Sequence, residues 1–233
     1  MGDISLKCCF CCFFYSVRCV GLFSLIIIYL VYYKFKLLDM KKLLLLIFLI
    51  PLISTGQKKY GDFNLLTSNY DISVIAEGKS KGEVYMDIED NGKASINFKS
   101  EKERNDFSSF LSKTVEKFKE WKKTAKENNV KDVVKEIDNG DFGNLIAFSY
   151  GGWKFSFGKH NVAAIMLIND SGNIFYALRF PKVTASDNDY IESDSSVMIT
   201  SNEDEILNII ELLKTETING FIDGQNKKED LFN

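Results

Sequence analysis

The chain contains no cysteine after residue 19, and its only histidine is His160. From Gln57 onward it therefore has no disulfide, no thiol nucleophile and no thiolate metal ligand. A histidine-based catalytic triad or a His-rich zinc site would depend on one residue, which excludes most serine hydrolases and metallohydrolases. The sequence also has no G-x-S-x-G elbow, no phosphate-binding glycine loop and no dinucleotide fingerprint.

Acidic residues outnumber basic residues in the same part of the chain. Six of the 29 Lys and Arg residues and two of the 32 Asp and Glu residues precede Gln57, so the remainder carries about seven more acidic than basic residues. Phosphate binding requires a basic surface, and this acidic excess argues against a nucleic-acid partner. It argues equally against attraction to anionic lipid.

A short leader beginning at Met40 has the layout of a secretory signal peptide. Lys41 and Lys42 precede an apolar run over residues 43–50, Pro51 ends that run, and small residues lead to a cut before Gln57. We therefore predict a signal peptide over residues 40–56 and an extracytoplasmic product, periplasmic or secreted.

Residues 1–39 hold all five cysteines and a second apolar run over residues 20–33. That run is shorter than the roughly 20 residues needed to cross a bilayer. Three interpretations stand: translation begins at Met40 and the upstream residues are an artefact; residues 20–52 anchor the protein in a membrane; or two short apolar helices form a hairpin. Only this segment would bring the chain to a membrane.

Hydrophobic patterning predicts a single α+β domain over residues 57–224 and a flexible tail over residues 225–233. We expect an irregular lead-in over 57–70, a strand over 71–77, and a hairpin of 83–90 and 93–99 around Asn91-Gly92. The hairpin should be buried on one side only, with Asp87, Glu89, Ser95 and Asn97 toward solvent. Ser100 and Glu103 form a capping box that opens a long amphipathic helix ending at Asn128.

The second half predicts strands over 144–150, 153–157, 162–169, 173–180 and 196–200, divided by glycine turns and by a polar loop over 181–195. Ser201 should cap a closing helix over 202–218 that stops at Asn219-Gly220. Because the connections are short, we expect a mostly antiparallel sheet of about seven or eight strands, with two helices packed on one face.

Aromatic residues surround the Gly151-Gly152 turn. Trp153, Phe155 and Phe157 alternate along one strand, and we expect them to pack in the core beneath a helix. Alternatively, Tyr150 or Trp153 forms a platform for a sugar or a peptide.

Acidic residues supply the remaining candidates. The densest group is Asp187, Asp189, Glu192 and Asp194, with Tyr190 among them; we expect a solvated loop, with a weak calcium site as the alternative. A second acidic loop, over 138–143, matches an EF-hand loop poorly. Asp87 and Glu89 are candidates for acid–base chemistry, although solvation of a sheet surface explains them better. His160 is expected at an exposed turn.

These features predict an exported, non-catalytic binding or envelope-associated module with no cofactor. Its ligand would be a protein or a glycan. Two alternatives remain: a carboxylate-dependent hydrolase acting on an extracytoplasmic substrate such as a glycan, and a secreted inhibitor or immunity-type protein that binds a basic partner.

Overall fold

The computed structural model of the protein describes residues 56–230. The predicted signal peptide, the cysteine-containing segment, the candidate anchor over 20–52 and the last three residues of the chain lie outside the described part.

The described residues form twelve strands and three α-helices. The strands are β1 (Gln57–Leu65), β2 (Ser68–Ile75), β3 (Val84–Asp87), β4 (Ala94–Phe98), β5 (Val133–Phe142), β6 (Leu145–Ser149), β7 (Trp153–Phe157), β8 (His160–Ile168), β9 (Ile174–Phe180), β10 (Thr184–Ala185), β11 (Asn188–Glu192) and β12 (Ser196–Thr200). The helices are α1 (Glu101–Glu127), α2 (Glu203–Leu212) and α3 (Thr215–Asp230).

The strands form three antiparallel sheets. One has six strands in the order β1-β2-β3-β4-β6-β7, one has four in the order β12-β9-β8-β5, and β10 and β11 form a separate hairpin. The α+β prediction with antiparallel pairing is confirmed. The finer prediction of seven or eight strands in one sheet with two helices is wrong, because residues 56–230 form twelve strands in three sheets and three α-helices.

One long β-ribbon connects the two large sheets. β5 pairs with β8 in the four-stranded sheet, and the same ribbon continues as β6 paired with β7 in the six-stranded sheet. It bends at Gly143, which has φ +72°, and on the opposite strand at Gly158, which has φ +115°. Strands that turn a corner in this way carry a ribbon from one sheet to another. The tip of the ribbon is the turn at Gly151-Gly152.

Helix α1 supplies much of the core. The Ser100 hydroxyl accepts the Glu103 N–H at 3.3 Å, so the predicted N-cap is confirmed. The Glu103 carboxylate bonds the Lys99 N–H at 2.7 Å rather than that of Ser100. The apolar stripe is buried as predicted, in one cluster with side chains from both large sheets. Inside this cluster, the hydroxyls of Thr114 and Tyr176 lie 2.7 Å apart and join α1 to β9.

Several segments expected to be irregular are strands. The lead-in over 57–70 forms β1 and the start of β2, and the acidic stretch over 138–143 belongs to β5, at the edge of its sheet. The polar loop over 181–195 contains the β10–β11 hairpin. An edge strand exposes one row of backbone groups and tolerates charged side chains, so apolar alternation is weak there.

The C-terminal helix also differs from the prediction. Its N-cap is Asn202, whose side chain accepts the Asp204 N–H, rather than Ser201. The chain then breaks after Leu212 and restarts as α3, which continues through Gly220 and into the expected tail. Gly220 and Gly224 inside α3 each cost about 1 kcal/mol of helix propensity, yet the helix continues because Ile218 and Ile222 are buried.

The β3–β4 hairpin forms, but β3 ends at Asp87 rather than at residue 90, and a 3₁₀ turn at Asp90–Gly92 replaces the expected two-residue turn at Asn91-Gly92. Its outer face is less open than expected, because Ser95 and Asn97 are buried. Asn97 stands in register between Tyr85 and Leu145 on the neighbouring strands. Larger neighbours on a sheet surface shield a smaller side chain between them.

None of the helices within residues 56–230 is both long and apolar enough to span a bilayer.

Candidate binding surface at strand β7

Three aromatic side chains stand exposed on β7. Trp153, Phe155 and Phe157 retain 36, 41 and 65% of their surface, so the expectation that they pack in the core is wrong. Alternate residues of a strand share a face and lie about 7 Å apart, so the three form one row, which we call the aromatic face. β7 is an edge strand of its sheet and this side of it is open to solvent, so the period-two pattern does not mark burial here.

Lys154 and Ser156, which alternate with the three aromatic residues, show which face of β7 points to the core. Lys154 and Ser156 pair in register with Phe148 and Ile146 of β6, which face the core. Lys154 and Ser156 are both half-buried. The hydrophobic alternation of β7 is therefore inverted, with polar side chains on the core side and aromatic ones outside. Exposed apolar side chains that form a contiguous patch commonly mark an interaction surface, whereas single exposed apolar side chains are normal on any protein.

The β10–β11 hairpin holds the free edge of β7. The Ser186 N–H donates to the Phe155 carbonyl at 2.8 Å, and the Phe157 N–H donates to the Ser186 hydroxyl at 3.0 Å. Ser186 thus pairs two edge groups that would otherwise be open to another strand.

An ion pair holds the turn of the same hairpin, between β10 and β11. Lys154 reaches Asp187 at 3.1 Å, with the lysine side chain largely covered and the carboxylate side chain 65% exposed. Phe155, Phe157, Ser186 and Asp187 together line a surface hollow of about 280 Å³. The two phenyl rings lie 6.4 Å apart at 21°. The hollow therefore has apolar walls and an acidic end.

The other candidate residues surround the aromatic face or extend from it. Tyr150 precedes the ribbon tip and is exposed. Asp189, Tyr190 and Glu192 are exposed on β11, and Asp194 is exposed just beyond it. Tyr190 retains 97% of its surface. The structure thus brings Asp187 to Trp153's strand and places its acidic neighbours on the adjoining hairpin.

The acidic group does not converge on a metal site. Glu192 is paired with Lys182 at 2.5 Å, and Asp187 with Lys154. Among residues 56–230, no three His, Cys, Asp or Glu side chains are grouped so that they could hold a metal ion. At the second predicted calcium loop, Asp138 lies on a strand and bonds Lys113 at 2.7 Å, which lowers the pKa of its carboxyl.

Asp87 lies on the outer face of the six-stranded sheet. Burial raises its pKa to about 6, and the neighbouring Asp71 charge adds to the rise; the Asp71 N–H, donating at 3.3 Å, and Lys59 oppose it. Lys59 pairs with Asp71 at 2.6 Å. Glu89, the other predicted acid, accepts a hydrogen bond from the Ser196 hydroxyl at 2.8 Å. Neither Asp87 nor Glu89 lines the hollow at β7.

His160 is buried, so the expected exposed turn histidine is wrong. It begins β8, directly after the bend of the ribbon, and its Nε2 lies 3.1 Å from the Ser156 carbonyl. Burial lowers the pKa of His160. A neutral ring that donates from Nε2 suits this position, which is a structural role at the corner between the sheets.

Sequence reasoning missed Lys154 and Ser186, the two residues that attach the hairpin to β7. The available signal was a lysine between Trp153 and Phe155, because a charged residue breaks the expected burial of a core strand. No sequence signal could pair Ser186 with a strand about thirty residues away.

Comparison with protein-family models, with curated proteins and with solved structures gave no match for this chain.

Proposed function

We propose that this chain is an exported, non-catalytic binding module that recognises another protein through the aromatic face. The observation that carries the proposal is that Trp153, Phe155 and Phe157 are exposed together on one strand. The core of the described fold is filled by other aromatic and aliphatic side chains. The signal-peptide pattern before Gln57 supports export.

The chemistry of the surroundings favours a protein partner. Energetically important contacts in protein interfaces are enriched in aromatic side chains at the centre, with polar and charged groups at the rim. The aromatic face supplies the centre. The exposed acids of the β10–β11 hairpin, including Asp189 and Asp194, supply a rim of negative charge. A partner with a basic rim would be steered toward such a surface.

Site-specific photocrosslinking in the native host tests this proposal. A photoreactive p-benzoyl-phenylalanine replaces Phe157 in one strain and Val134 in another. Val134 is a matched control, because it is also an exposed apolar residue on a strand, retains 74% of its surface and lies in the other large sheet.

We expect a discrete protein adduct from position 157 and none from position 134. The extracytoplasmic fraction should contain that adduct. No adduct at 157, or equal adducts from both positions, would contradict the proposal. A soluble glycan whose binding is lost in Trp153→Ala, without any protein adduct, would favour a glycan ligand instead.

A further inference from the structure

We infer that the hollow beside β7 takes a basic side chain of the partner protein, with arginine preferred over lysine. This inference rests on the proposed function, because it names the chemistry by which the aromatic face would select its partner.

The walls of the hollow suit a flat cation. Phe155 and Phe157 present two nearly parallel rings, 6.4 Å between centroids and 21° apart. A guanidinium group stacks on an aromatic face and gains a cation–π attraction, which grows when water is excluded. The aliphatic stem of the same side chain would cover apolar ring surface.

The end of the hollow suits a positive charge. Asp187 is among the residues that line it, and the ion pair that its carboxylate makes within residues 56–230 joins Oδ2 to Lys154. Its side chain is 65% exposed, which leaves the carboxylate within reach of a second donor. Arginine carries paired donors that match a carboxylate, whereas the lysine ammonium acts as a point charge. The Asp187 carboxylate would repel an anionic group in the hollow.

Ser186 fixes the geometry of this end. Its backbone N–H and its hydroxyl are both engaged by β7, so the residue before Asp187 is held on the strand edge. A carboxylate preorganised in this way loses less conformational freedom when it binds. The hollow is therefore a candidate specificity pocket within a larger surface.

Peptide titration of the processed protein, followed by ¹H–¹⁵N NMR, tests the inference. The probes are acetyl-Gly-Arg-Gly-amide, the lysine analogue, and the citrulline analogue, which keeps the shape of arginine without its charge. We expect millimolar binding of the arginine peptide, shifts at the amides of residues 154–157 and 186–187, and affinity at least tenfold above that of the citrulline peptide.

Two variants sharpen the test. Asp187→Asn should weaken the arginine peptide by about tenfold and leave the citrulline peptide unchanged, since a charge-assisted contact is removed. Asp170→Asn, which removes the same charge from the exposed turn between β8 and β9 and does not line the hollow, should change the affinity less than about twofold. Equal affinity for arginine and citrulline peptides, no response to Asp187→Asn, or no detectable binding would overturn the inference.

The two proposals fail separately. A protein adduct at position 157 without any charge preference in the hollow overturns only the arginine inference. The absence of an adduct at position 157 overturns the proposed function itself.

Discussion

At the scale of single residues, burial makes the free energy of unfolding depend on pH in opposite directions at Asp87 and at His160. The folded pKa of Asp87 is about 6 and its unfolded value about 4, so the folded state binds a proton that the unfolded state has lost. Stability from this group is therefore present at low pH and is lost as the pH rises through 6. His160 acts in the opposite sense, because its folded pKa is lowered and protonation below pH ~6.5 favours unfolding.

The replacement Asp87→Asn removes this penalty while it keeps the size of the side chain. After allowance for solvent screening, we expect the variant to be about 1 kcal/mol more stable than the wild type at pH 8 and nearly equal to it at pH 4. Urea unfolding at several pH values measures the difference. Asp189→Asn, which removes a carboxylate from an exposed position on β11, is the control for the loss of one charge. A constant offset for Asp87→Asn would show that Asp87 is not desolvated.

At the scale of elements, the bend in the long ribbon depends on Gly143. A Cβ at this position would lie 2.6 Å from Ile96 Cγ1 and 3.2 Å from the Asn97 carbonyl oxygen, and φ is +72°. Any other residue would therefore suffer both backbone strain and overpacking against β4.

We expect Gly143→Ala to lower the free energy of unfolding by about 3 kcal/mol. Gly151→Ala is a matched control, because Gly151 also has positive φ, +61°, but its Cβ would meet nothing within 4 Å. That variant should lose only about 1 kcal/mol, the backbone cost alone. Equal losses in chemical denaturation would mean that the corner is not packed as described.

The elements that the sequence predicts well are those with strong local signals. Helix α1 follows from the Ser100 cap and its apolar stripe, and the β3–β4 hairpin from its alternating strands around a glycine turn. β5 carries few apolar residues and lies at a sheet edge, so its pairing with β8 stabilises a strand that its composition does not indicate. The division into separate sheets depends on the corner at Gly143, which only tertiary contacts reveal.

At the scale of the whole molecule, the site depends on which face of β7 is covered. Alternation predicts that Trp153, Phe155 and Phe157 share a face, and this is confirmed. Alternation does not indicate which face of the strand lies toward the core. The hydrophobicity of the three aromatic residues then favours the wrong face. The candidate residues Tyr150, Trp153, Asp187 and Tyr190 come from two segments that the β10–β11 hairpin brings together. That contact joins distant parts of the chain, beyond the reach of local patterns.

The central claim is that the aromatic face contributes less to folding per residue than the core does and is available for binding. The most direct test is the free energy of unfolding of the triple variant Trp153→Thr, Phe155→Thr, Phe157→Thr. Threonine keeps strand propensity. The buried Phe118→Ala serves as the reference, with an expected loss of about 3–5 kcal/mol. For the triple variant we predict a summed loss of no more than about 4 kcal/mol, because 36 to 65% of each side chain is exposed and threonine retains part of the covered area. A loss above about 6 kcal/mol would mean that the three side chains belong to the core and would contradict the account.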